Sequence, residues 1–253
     1  MDFVLSWEVL LLLFALAMLA GFVDTLAGGG GLITVPVLLL SGLPPIHALA
    51  TNKIQSAFGT MVATGNMLRS RLIRFETIRF PFMMSLIGSA LGTLLVQQLN
   101  VAVLDIVIPI VLVLIGLYFL LAKGAGAVER KPRMAERSFN LSVVPIIGFY
   151  DGLFGPGTGS FFSLANVALC GEKIIQATAR AKAFNFASNI ASAVVFIVGG
   201  KVVWSVGIAM MIGQVIGATL GSKVMISHGA KIIRPIIVSV CFLMVLRYLW
   251  DKF

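Results

Sequence analysis

Gly21-Phe22-Val23-Asp24-Thr25-Leu26-Ala27-Gly28-Gly29-Gly30-Gly31 returns later in the chain as Gly148-Phe149-Tyr150-Asp151-Gly152-Leu153-Phe154-Gly155-Pro156-Gly157-Thr158. The offset is 127 residues (151 − 24). Gly21, Phe22, Asp24, Leu26, Gly28 and Gly30 each find an identical partner without a gap. The same offset lays Ala50-Thr51-Asn52-Lys53 on Ala177-Thr178-Ala179-Arg180, so that Lys53 falls on Arg180. Apolar composition alone does not reproduce an acid and a base at one spacing. Further on, Gly88 and Gly92 match Gly213 and Gly217 at 125, which implies a small deletion. The chain therefore divides into two homologous halves, 1–122 and 141–253, joined by a hydrophilic linker at 123–140.

Of 253 residues, 59% are hydrophobic and 11% charged. A soluble domain of this length carries roughly 25% charged residues to cover its surface. The deficit predicts a surface of lipid and an all-helical protein with many membrane spans. Apolar stretches cover roughly 9–23, 28–42, 54–68, 80–104, 106–122, 138–153, 155–171, 183–200, 202–222 and 235–250. Those at 28–42 and 155–171 are short and interrupted by Gly and Pro. They read as half-helices or re-entrant pieces, which are tolerated only inside protein or along a cavity. The first basic residue is Lys53, so the first run lacks the basic region of a secretory signal and reads as a retained span.

The net charge of +9 does not indicate nucleic acid, because the basic residues gather in short loops. Arg69, Arg71, Arg74 and Arg79, then Lys123, Arg130, Lys131, Arg133 and Arg137, then Lys223, Lys231 and Arg234 mark three loops as cytoplasmic. The connection near 97–105 and the turn Gly199-Gly200-Lys201 fall on the outside, as do both termini. About five segments per half is an odd number, so the second half is inverted relative to the first. Inverted repeats are a common plan of secondary transporters, in which broken helices from each half meet near the bilayer midplane.

Gly28, Gly29 and Gly30, and Gly155 and Gly157, stand where a short helix would open. Its free N–H groups and positive dipole end would face an anion; the alternative is close packing through small residues. Lys53, Arg180 and Lys182 begin stretches that are otherwise apolar. Charge within a membrane is costly and faces a cavity or a partner, although a basic residue at a helix end also snorkels to the headgroups. Thr51, Asn52, Gln55 and Ser56 place donors beside Lys53. Thr178 precedes Arg180, and Asn185 and Asn189 continue a polar stripe one turn apart. Donors and positive charge with few acids favour an oxyanion. Asp24 and Asp151 supply charge balance or carry a proton, or else they accept backbone hydrogen bonds at a helix end.

His47 and His228 lack clustered ligands, so no metal site is expected, and Cys170 and Cys241 read as packing residues. Ser160 lacks the flanking motif and histidine of an intramembrane protease, and no nucleophile–base pair is found. No catalytic residue and no cofactor are expected.

These motifs resemble the TauE/SafE sulfite-exporter family, and within it a YfcA-like branch of bacterial inner-membrane proteins. The resemblance rests on Ala20 to Leu32, Ala48 to Lys53, Gly148 to Gly157, Ala177 to Lys182 and Gly199 to Val202. It implies a permease for sulfite, sulfoacetate or related sulfur-containing anions and organosulfonates. A passive anion channel is the alternative. The expected partners are a small anion and membrane lipid, with a homodimer as one allowed assembly and no nucleic acid. The second motif departs from the first: Asn52 becomes Ala179, and two of the four glycines become Pro156 and Thr158.

Overall fold

A computed structural model describes residues 5–100 and 131–228, together with 102–104, 106–108, 110, 111 and 114 between them. The apolar stretches 106–122 and 235–250, the first part of the linker (123–130), and Cys241 lie wholly or largely outside the described residues. Every regular element among the described residues is an α-helix. They are α1 (Trp7–Ala27), α2 (Gly30–Leu40), α3 (Pro45–Arg69), α4 (Phe75–Val96), α5 (Glu136–Leu153), α6 (Thr158–Cys170), α7 (Ile174–Val198) and α8 (Trp204–His228).

Helices α1, α4, α7 and α8 are long and apolar enough to cross a membrane. Their apolar character is turned outward. Phe80, Met83, Ile87, Leu91 and Leu94 form an exposed stripe on α4, and Ile208, Ile212, Ile216 and Leu220 form one on α8. The three- and four-residue spacing keeps each stripe on one helix face, where lipid replaces water. The inward faces carry small residues instead, which lets backbones meet. A Cβ on Gly92 of α4 would overlap the Phe149 carbonyl of α5, and one on Gly217 of α8 would overlap the Met18 carbonyl of α1. Helix α1 thus packs most extensively on α8, and α4 on α5. Helices α3 and α7 lie against each other at the centre, α3 also against α8 and α7 also against α4. Each half of the sequence is held chiefly by helices of the other half.

Helices α2 and α6 have 11 and 13 residues. At 1.5 Å per residue they reach about 16 and 20 Å, short of the roughly 30 Å hydrocarbon core. Helix α1 stops at Gly28, whose φ of 80° is left-handed, and α2 turns back two residues later. Gly155 (φ 95°) and Gly157 (φ 80°) make the corresponding break before α6. The two breaks touch: a Cβ on Gly28 would collide with the Gly159 and Ser160 backbone, and the Ser160 hydroxyl donates to the Ala27 carbonyl.

The exposed Arg69, Arg71, Arg74 and Arg79 and the segment 131–137 lie at one end of the bundle. There Met67, Ile73, Phe139, Phe162 and Met225 share a core, and the Arg133 and Met134 amides donate to the Leu169 carbonyl. The opposite end is closed by Leu13, Leu43 and Val203, with His47 Nδ1 2.7 Å from the Lys201 carbonyl.

Two sequence expectations are corrected by these boundaries. Helices α3 and α7 both have 25 residues, and their limits differ by 129 (174 − 45 and 198 − 69). The two extra residues lie in α6. The relation after the short helix is therefore an insertion, not a deletion. Gly88 and Gly92 meet the Pro145 and Phe149 carbonyls, and the glycines that meet the Met18 and Phe22 carbonyls are Gly217 and Gly221, not Gly213 and Gly217. The lysines that begin the apolar stretches lie well inside longer helices. Lys53 and Lys182 are each the ninth residue, about 12 Å in from the helix start.

Candidate functional site

The charged residues that the sequence singled out meet across the halves. Lys53 Nζ on α3 lies 2.8 Å from Asp151 Oδ1 on α5, both side chains almost fully buried. Lys182 Nζ on α7 lies 3.1 Å from Asp24 Oδ2 on α1. Bare charges at this depth would each cost several kcal/mol. Two cations against two anions leave the buried centre without net charge.

The pairs are not alike. Asp24 is spent threefold: Oδ1 accepts from the Gly30 amide at 3.1 Å, closing the start of α2. Oδ2 accepts from Lys182, and the Asp24 carbonyl accepts from both Lys182 and the Gly28 amide. Among the described residues, the Asp151 carboxylate is paired only with Lys53. Its Oδ2 is buried and accepts no hydrogen bond among the described residues, and the start of α6 has no side-chain cap. Lys53 also donates to Asn189 Oδ1 at 3.2 Å, and Asn189 donates on to Asn185 Oδ1 at 3.2 Å. Lys53 Nζ lies against Gly155, where a Cβ would stand 3.0 Å from it.

Beside this centre, Asn52 Oδ1 accepts from Thr34 at 2.5 Å and from Gln55 Nε2 at 2.8 Å. Gln55 Oε1 and Gln214 Oε1 are buried without a hydrogen-bond partner among the described residues, and Gln214 fills the space over Gly59. By helix register, the second half carries Ala181 and Phe184 where the first has Asn52 and Gln55, and Phe184 stacks edge-on to Phe162.

Other predicted residues stand apart. The Thr51 hydroxyl accepts from the Val203 amide at 3.1 Å, tying α3 to the start of α8. Thr178 bonds Ser163 at 2.8 Å, tying α7 to α6. Gly28 and Gly30 lie at the touching breaks and against Asp24, whereas Gly29 has ordinary room. Arg180, matched by the gapless alignment to Lys53, lies instead near the basic end of the bundle. It is clamped by Glu172 and by Glu136 at 2.7 Å, and stacks over Phe184. Burial pushes the Glu172 carboxyl up from its ordinary value, against the pull of the Arg180 guanidinium. Thr34 and Gln214 were not singled out from the sequence. The available signal was a polar side chain within an apolar run, which is costly in a membrane without a partner.

A bundle with four membrane-length helices, two short ones and paired charges at its buried centre is that of a multi-pass membrane protein. The comparisons agree and specify it. Residues 13–248 match the family "Sulfite exporter TauE/SafE", and the chain belongs to that family. It is 44% identical to the "Probable membrane transporter protein" of Haemophilus influenzae, over 97% of this chain and 96% of that one. It is 45% identical to the "Probable membrane transporter protein YfcA" of Escherichia coli strain K12, over 99% and 93%. A Sinorhizobium relative, "Probable membrane transporter protein ORF9", is 43% identical over 98% and 95%. No solved structure matches the chain.

Proposed function

We propose that the protein is a secondary transporter of a small anion in the bacterial inner membrane, built from two inverted halves that rock against each other. The single observation that carries this reading is the pair of buried Lys–Asp contacts, each joining one half to the other. A pore open to both sides would solvate such charges. Buried and balanced, they suit an occluded centre whose lysines exchange an internal carboxylate for an incoming oxyanion. The matched contacts of α1 with α8 and of α4 with α5 support the inverted arrangement. The basic loops gathered at one end support a cytoplasmic face there.

In this reading Lys53 and Lys182 hold the anion. The opened start of α6 donates backbone N–H groups, and Asn185 and Asn189, with Asn52 and Gln55 nearby, orient the ligand. Asp24 and Asp151 set the charge balance, and Arg180, held by Glu172 and Glu136, stands outside the anion site. The family name supports sulfite, sulfoacetate or a related organosulfonate as the substrate. The test is uptake of labelled sulfite and sulfoacetate into proteoliposomes, with Lys53→Gln and Lys182→Gln alongside. Saturable uptake by the wild type, lost in both variants, is expected. Equal uptake in all three would remove the site, and uptake that never saturates would favour a channel.

A further inference from the structure

The two ion pairs differ in a way that assigns a second ligand. Asp24 keeps a backbone hydrogen bond from Gly30 whatever becomes of Lys182. Asp151 has no such reserve: Lys53 is its partner, and Oδ2 is a buried carboxylate oxygen with no donor among the described residues. The charges around it are few. Lys53 from α3 touches it, and the Asp24–Lys182 pair belongs to the same buried centre. Tyr150, its neighbour on α5, gives its hydroxyl to the Pro156 carbonyl at 2.6 Å. Helix α4 brings Ser89 and Thr93 to the adjoining Gly152, and α6 brings Thr158 and Ser160 to its own start; neither brings a charge to this depth. From α7 come the amides Asn185 and Asn189.

An anion that takes Lys53 leaves Asp151 as an unpaired buried carboxylate, which is among the costliest arrangements a protein interior can hold. A proton on Oδ2 removes that charge at once. Resting on the anion reading above, we propose that Asp151 is the proton-carrying residue and that the protein moves one proton together with each anion. The exchange balances. The Lys53–Asp151 contact breaks, a Lys53–anion contact forms, and one proton passes from the solution to Asp151. For a monoanion the charge of the site is unchanged, so transport is driven by a pH difference and not by membrane voltage.

Methanesulfonate is a suitable probe because it stays a monoanion across the working range. With the outside one pH unit more acidic, one-to-one coupling accumulates it about tenfold inside wild-type proteoliposomes. Asp151→Asn should accumulate none, and Asp151→Glu should restore accumulation. A second measurement needs no flux: adding methanesulfonate to weakly buffered, detergent-solubilised wild type should draw in protons, and adding it to Asp151→Asn should not. Anion binding without proton uptake would overturn the coupling and leave the anion reading standing. So would accumulation that persists in Asp151→Asn. If methanesulfonate, sulfoacetate and sulfite are neither bound nor moved, the anion reading fails first and the coupling with it.

Discussion

At the scale of single residues, the protein keeps four charges where lipid surrounds the bundle, and it does so by pairing them across distant parts of the chain. Such pairs are not strong sources of stability, because desolvation offsets most of the attraction, but breaking one is expensive. Lys53→Gln strands Asp151 and should lower stability by about 3–5 kcal/mol. The double variant Lys53→Gln/Asp151→Asn removes both charges and should regain most of that loss. Melting in detergent reads the stability, and uptake should stay absent in both. Recovery of stability without recovery of uptake would separate the role of Lys53 in transport from its role in folding. The sequence made Lys53, Asp24 and Asp151 legible, since charges in apolar runs announce themselves. It misassigned the partner. A gapless match put Arg180 opposite Lys53, whereas two additional residues in α6 bring Lys182 to that helix position. Inserted residues in a short helix leave no mark on composition, so the shift could be seen only in the folded chain.

At the scale of elements, the two breaks before α2 and α6 organise the centre. They were legible as Gly-rich turns, because left-handed backbone and close approach both select glycine. That they touch each other was not legible, since nothing local to either turn encodes the other. Gly28 combines a φ of 80° with direct contact on the Gly159 and Ser160 backbone. Gly42 has a φ of 87° with nothing within 4 Å. Gly42→Ala therefore meets backbone strain alone, about 1–2 kcal/mol. Gly28→Ala meets that strain plus a clash that neither backbone can relieve, and it should abolish the monodisperse protein on size-exclusion chromatography. Similar behaviour of the two variants would mean that the breaks do not need to touch. Between α4 and α7, Ser89 and Thr93 hydrogen-bond Ser192 at 2.6 and 2.8 Å, a polar seam that leaves no hydrophobic period for sequence reading to detect.

At the scale of the whole molecule, the end bearing Arg71, Arg74 and Arg133 should face the cytoplasm and the end bearing Lys201 the outside. Single cysteines at Arg74 and Lys201, placed in a Cys170→Ser/Cys241→Ser background, test this. An impermeant thiol reagent on intact cells should label position 201 and spare 74 until the membrane is opened. The reverse pattern would invert the assignment. The interlocked halves also bear on how the chain is made. Asp24 waits for Lys182, 158 residues later. At ~5–20 residues per second, ribosomal synthesis leaves that carboxylate in the nascent bundle for roughly eight to thirty seconds before its cation emerges. Insertion therefore cannot finish helix by helix. The leading half has to be sheltered at the translocation machinery, or kept shallow in the bilayer, until the trailing half arrives to complete it.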